Sequence, residues 1–134
     1  MRQLFLRRHA TMDRLGILLS AACMLHCALI PLILIFGSTH AFGGAAMDEF
    51  IHIAMGVVVI PVSGLAFWGG WLRHRRDHVL VAGAAGMILI IIGATVMHDW
   101  LGLVGDVAVT TAGSALLIYA HWQNQACGCA KPTE

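Results

Sequence analysis

Charge is what this sequence has least of. Of its 134 residues only 11% are Asp, Glu, Lys or Arg, while 59% are hydrophobic. An average soluble domain carries about 25% charged and about 45–50% apolar residues. A globule of this size facing water on every side would not have the charge to cover its surface, which excludes a soluble domain. The length leaves room for one domain and excludes a barrel of βα units or a separate cofactor domain. A net charge of +1 gives no polybasic footprint, so nucleic acid is not an expected partner. Phosphate-cradling glycine loops, nucleophile elbows and His-Glu-x-x-His are absent as well, and no solenoid-length repeat is present. No enzymatic turnover is expected.

What is there is long apolar sequence. Residues 15–47, 50–72, 78–98 and 107–130 contain no Asp, Glu, Lys or Arg. A membrane span needs about 20 mostly apolar residues at ~1.5 Å each. The pattern predicts an all-α membrane protein of four transmembrane helices, near 15–36, 50–71, 79–97 and 103–122, followed by a flexible tail over 123–134. Asp106 then falls in the first turn of helix 4, where the positive end of the helix dipole tolerates a carboxylate. A cleaved signal peptide over 1–44 does not fit, because its apolar run exceeds the usual core of about 7–15 residues.

All eight basic residues lie at one end of the predicted helices: Arg2, Arg7, Arg8 and Arg14 before helix 1, Arg73, Arg75 and Arg76 between helices 2 and 3, and Lys131 after helix 4. By the positive-inside rule that end is cytoplasmic, and both termini are inside. Short loops make sequential helices antiparallel neighbours in an up-down bundle. Small residues are the expected contact faces in lipid: Gly16, Ser20, Cys23 and Cys27 on helix 1, Ala82, Gly86 and Gly93 on helix 3, and Ala108, Ala112 and Ala115 on helix 4. Pro31 in helix 1 frees the carbonyl of Cys27, because proline removes the donor that would bond four residues back.

The chemistry concentrates in Cys-Met-Leu-His-Cys, residues 23–27. Positions i, i+3 and i+4 are helix neighbours, so Cys23, His26 and Cys27 are expected to converge as soft-metal ligands near mid-membrane. Cβ atoms one helical turn apart sit about 5–6 Å from each other, too far for a disulfide, which needs about 3.5–4.5 Å. Thiolates suit this depth because two of them neutralise a divalent ion whose bare charge would be costly to desolvate, and they select soft metals over Mg, Ca or Mn. The alternative is two small cysteines packed in a helix interface.

A second thiol pair, Cys127 and Cys129, follows helix 4. Two sulfurs cannot close a structural zinc site, which takes four ligands, but they can accept and release a soft ion by exchange. Among the histidines, His52 lies beside Asp48 and Glu49 at the outer mouth, and His121 lies near the inner face. Both are candidate ligands on a ladder across the membrane, although a histidine at headgroup depth is also comfortable without a ligand. Ligation of a haem by His26 and His52, or a purely structural role, are the competing readings.

These residues resemble a known family. Asp-Arg-Leu-Gly leading into a first span with Cys-x-x-His-Cys and a proline is similar to the MerC family of small inner-membrane mercury-uptake proteins. So are the inner turn Gly-Trp-Leu-Arg-His-Arg-Arg and the helix-4 ending Ala-His-Trp-Gln-Asn before a thiol pair. The resemblance implies four spans in a bacterial inner membrane and inward passage of Hg(II). Cys23 and Cys27 would be the intramembrane pair, and Cys127 and Cys129 the exit pair. The acceptor would be a cytosolic mercuric reductase or small thiols. His26 beside the pair and the compressed Cys-Gly-Cys depart from the mercury-operon members, which keeps Cu(I) and Zn(II) open as cargo. No permanent cofactor is implied, and a homo-oligomer is compatible.

Overall fold

The computed structural model describes residues 2–36 and 45–129. They form four helices: α1 (Arg2–Phe36), α2 (Ala45–His74), α3 (Asp77–Ile92), which passes into a π-helical turn (Gly93–Met97), and α4 (His98–Cys129). No strand occurs among the described residues. The helices begin before their predicted starts, and α2 and α4 also run past their predicted ends. Gly102, at φ 63° and ψ −160°, kinks α4, so its regular course starts next to residue 103 as expected. At the other end α4 continues to Cys129, and the segment expected to leave the helix at 123 is helical that far.

Among the described residues, three helical stretches are long and apolar enough to cross a membrane: Ala10–Leu29, Ile53–His74 and Asp77–Met97. α4 carries Asp106, Thr110, Thr111, Ser114, His121 and Asn124 among its apolar residues. It is the central element, packing extensively on α3 and α1 and also touching α2. α3 and α4 approach backbone to backbone, since a Cβ on Gly86 or Gly113 would press on the carbonyl oxygen of the other.

The distribution of polarity is inverted relative to a soluble bundle. A small apolar core of Val59, Phe67, Val79, Ile90, Leu117 and Ala120 is joined inside by Asp13, Ser20, Ser63, Asp106, Thr110, Ser114, His121 and Asn124, all buried. Leu18, Leu25, Val57, Leu65, Val81, Ile88 and Val104 face outward. Polar side chains turned inward and aliphatic ones outward is the arrangement that hydrocarbon surroundings select.

The two-residue turn between α2 and α3 places Arg75 at φ 52°, a left-handed position usually given to glycine. Its guanidinium stacks 4.5 Å from the Trp71 ring centroid. The Trp71 indole N–H in turn donates to Asp77 at 2.7 Å. The basic turn is thereby folded onto the helix ends.

Candidate metal site

Along α1, Asp13, Gly16, Ser20, Cys23 and Cys27 recur at steps of three and four and are all buried. They share one stripe of the helix, and that stripe lies against α4. The predicted contact face of helix 1 is therefore the observed one. On α4 the prediction fails. Ala108, Ala112 and Ala115 point outward, and the inward stripe is Asp106, Thr110, Gly113, Ser114, Leu117, His121 and Asn124. In lipid the polar side chains need the interior more than small ones do.

The two helices pair in one antiparallel register. Thr110 Oγ1 lies 3.5 Å from Cys27 Sγ, a Cβ on Gly16 would fall on the His121 ring, and Asn124 Nδ2 donates to Asp13 at 2.8 Å. That register sets Ser114 opposite Cys23. The Cys23 thiol faces Cys27 and Ser114, with Asp106 within electrostatic range. Cys23 and Cys27, 5% and 2% exposed, are not disulfide-bonded among the described residues and are sealed between α1 and α4.

His26 does not complete a triad with them. Among the described residues no three His, Cys, Asp or Glu side chains gather into a group that could hold a metal ion. The reason is angular. Adjacent residues on a helix are ~100° apart, so with Cys27 turned to α4 its neighbour His26 is carried to the flank, where it is half-buried. Two sulfurs, with hydroxyls opposite, make up the site.

Three turns toward the arginine-rich end, a buried polar network ties α1, α2 and α4 together. Asp13 Oδ1 accepts from His121 Nδ1 at 3.1 Å and from Asn124 Nδ2 at 2.8 Å. His121 Nε2 accepts from the Ser63 hydroxyl at 3.0 Å, and its ring packs 4.4 Å from Phe67. Asn124 also donates to the Ala66 carbonyl and accepts from His74 Nε2 at 2.9 Å. Asp13 Oδ2, equally buried, has no hydrogen bond among the described residues. His121, expected as an inner-face ligand, has both ring nitrogens in hydrogen bonds and ties α1, α2 and α4 together.

Cys127 stands on α4, half-buried against the apolar core, rather than on a tail. The side chains of His52 and Cys129 lie outside the described residues. Sequence reasoning missed Asp13, Ser63, Thr110, Ser114 and Asn124 as contributors. The signal was available as polar residues at helical spacing within apolar helices.

The family model described as MerC mercury resistance protein matches residues 13–126. The chain belongs to the MerC family. No curated protein and no solved structure matches it at a meaningful level of similarity. The MerC match takes in the thiol pair, the facing hydroxyls and the Asp13–His121–Asn124 network, and ends just short of Cys127 and Cys129. Membership makes this a mercury-related membrane protein, from a resistance family and not a known enzyme family.

Proposed function

We propose that this MerC protein carries Hg(II) inward across the bacterial inner membrane by thiol exchange at Cys23 and Cys27. The observation that carries the reading is the buried pair of cysteine thiols, one helical turn apart, with no third strong ligand grouped with it among the described residues. Such a pair suits an ion content with two soft ligands. Zn(II) prefers four ligands. Cu(I) between two thiolates would leave a net negative charge in a low-dielectric interior, whereas Hg(II) gives a neutral complex. On capture two S–H bonds break and two S–Hg bonds form. The two protons leave with the displaced ligands, as thiols if the ion arrives thiol-bound or as free acid if it arrives as the chloride.

In this reading all four helices cross, with both termini in the cytoplasm. α4 is shielded at the centre of the bundle, its polar stripe inward and Leu101, Val104, Tyr119 and Trp122 exposed. The ion is first met near His52, held at Cys23 and Cys27, and passed toward Cys127 and Cys129, from which cytosolic small thiols or a mercuric reductase take it.

The test is Hg(II) uptake by cells expressing the Cys23→Ser, Cys27→Ser double variant at wild-type membrane abundance. Near-complete loss of uptake is expected, and normal uptake overturns the mechanism. Competitive titration of the reduced protein with Hg(II), Cu(I), Zn(II) and Cd(II) under one thiol buffer should place Hg(II) first.

A further inference from the structure

The two thiols face two hydroxyls in register, Cys27 opposite Thr110 and Cys23 opposite Ser114. Thr110 is fully buried and its orientation is fixed. Its methyl group fills the space beside Gly93, the first residue of the π-helical turn, where a Cβ would collide with it. Its Oγ1 lies 2.6 Å from the Asp106 carbonyl oxygen and 3.5 Å from Cys27 Sγ. A threonine hydroxyl has one proton and two lone pairs. With that proton on the Asp106 carbonyl, the oxygen can accept from the Cys27 S–H. Once the thiol proton is lost, the same hydroxyl can turn and donate to sulfur.

Ser114 is the more telling residue. It is 0% exposed, and apart from its approach to the Cys23 thiol its Oγ has no hydrogen-bond partner of good geometry among the described residues. A buried hydroxyl left unsatisfied is destabilising and rare in a native structure. A role that appears only when the neighbouring sulfur becomes an acceptor accounts for its place.

We propose that Thr110 and Ser114 are positioning residues of the ion site, whose hydroxyls donate to the metal-bound sulfurs of Cys27 and Cys23 and so hold the captured ion. This rests on the reading of Cys23 and Cys27 as the ion pair and adds what sets retention there. A hydroxyl bonded to thiolate stabilises negative charge on sulfur without adding charge of its own, so the bis-thiolate complex stays neutral. It also fills the space from which a third strong ligand would approach, which favours two-coordinate ions.

The experiment uses the full chain, purified in detergent and reduced, loaded with mercuric chloride. Bound Hg(II) and its ultraviolet thiolate-to-metal absorption are measured, followed by the rate of release to a soluble dithiol. Thr110→Val with Ser114→Ala should bind the same amount as wild type, shift the absorption band, and release the ion about tenfold or more faster, the range one charge-assisted hydrogen bond supports. Thr110→Ser, which keeps the hydroxyl, should release near the wild-type rate. Ser114→Ala alone provides the test if the double variant does not fold. It deletes an unsatisfied oxygen, so it should melt no lower than wild type and still release faster, a combination that a packing role would not produce. Unchanged release from the hydroxyl variants, or release from Thr110→Ser as fast as from Thr110→Val, overturns the proposal. The Cys23→Ser, Cys27→Ser protein separates the two ideas. If that protein, with Cys127→Ala and Cys129→Ala added to remove the second thiol pair, still retains Hg(II), the ion-pair reading falls and this proposal with it. If it does not, failure of the hydroxyl variants counts against this proposal alone.

Discussion

The imidazole of His121 lies in the space that a side chain on Gly16 would occupy. The ring is held there from three sides, by Asp13 on α1, Ser63 on α2 and the face of Phe67, so it has no free direction to yield. Gly16→Ala should therefore destabilise the bundle by about 1–3 kcal/mol, the usual cost of overpacking a filled interior. A lowered thermal midpoint in detergent checks this. Gly64→Ala, on a neighbouring helix with open space around the added Cβ, is the control and should change little.

Asp13 accepts hydrogen bonds from two buried donors at once. Asp13→Ala leaves His121 Nδ1–H and one Asn124 N–H without their acceptor in a sealed interior. Each buried donor left without an acceptor costs about 1–3 kcal/mol, so the variant should accumulate poorly and melt well below wild type. Asp13→Asn, which keeps an acceptor oxygen, should lose less. The protein that does fold should still bind Hg(II), because Cys23 and Cys27 lie about three to four turns away along α1. Loss of binding with an intact fold would give the network a direct part in holding the ion.

The face of α1 was legible in the sequence because small and thiol-bearing residues recur along it at helical spacing. Gly16, Ser20, Cys23 and Cys27 read the same way from spacing and from burial. α4 misled for a physical reason. Its alanines are small enough for a helix contact, but Thr110, Ser114, His121 and Asn124 have polar groups to satisfy, and in hydrocarbon that need decides which face turns inward. Placing polar before small residues recovers the face. The partners could not be read in the same way. That Asp13 meets His121 and Asn124, more than a hundred residues on, follows from the antiparallel register of α1 and α4, and no local pattern encodes it. His26 illustrates the limit of spacing rules, since two residues can each neighbour a third on a helix while facing different surroundings.

The orientation of α4 makes a paired prediction. Ala112 faces outward and Gly113 faces the α3 backbone. Ala112→Leu should leave the thermal midpoint and Hg(II) uptake within error of wild type, as surface changes generally stay within about 0.5 kcal/mol. Gly113→Ala must push α3 and α4 apart and should lower the midpoint clearly. If the leucine at 112 proved the more damaging of the two, the helix would be rotated from the face described.

The last prediction concerns Cys127 and Cys129. Cys127 is half-buried on α4 against the core that includes Val79 and Ala120, so deleting the chain end would disturb packing as well as remove a thiol. Substitution is the cleaner intervention. Cys127→Ala with Cys129→Ala keeps the helix and its small-residue contact while removing both sulfurs. If these sulfurs take the ion from Cys23 and Cys27, the variant should load Hg(II) to the wild-type amount and deliver it more slowly to a soluble thiol acceptor. The slowing should shrink as acceptor concentration rises, because small thiols then compete for direct access to the buried pair. The measurement is Hg(II) bound per protein together with Hg(II) transferred over time at several acceptor concentrations. Delivery at the full rate throughout would remove the second thiol pair from the route and leave Cys23 and Cys27 to exchange directly with cytosolic thiols.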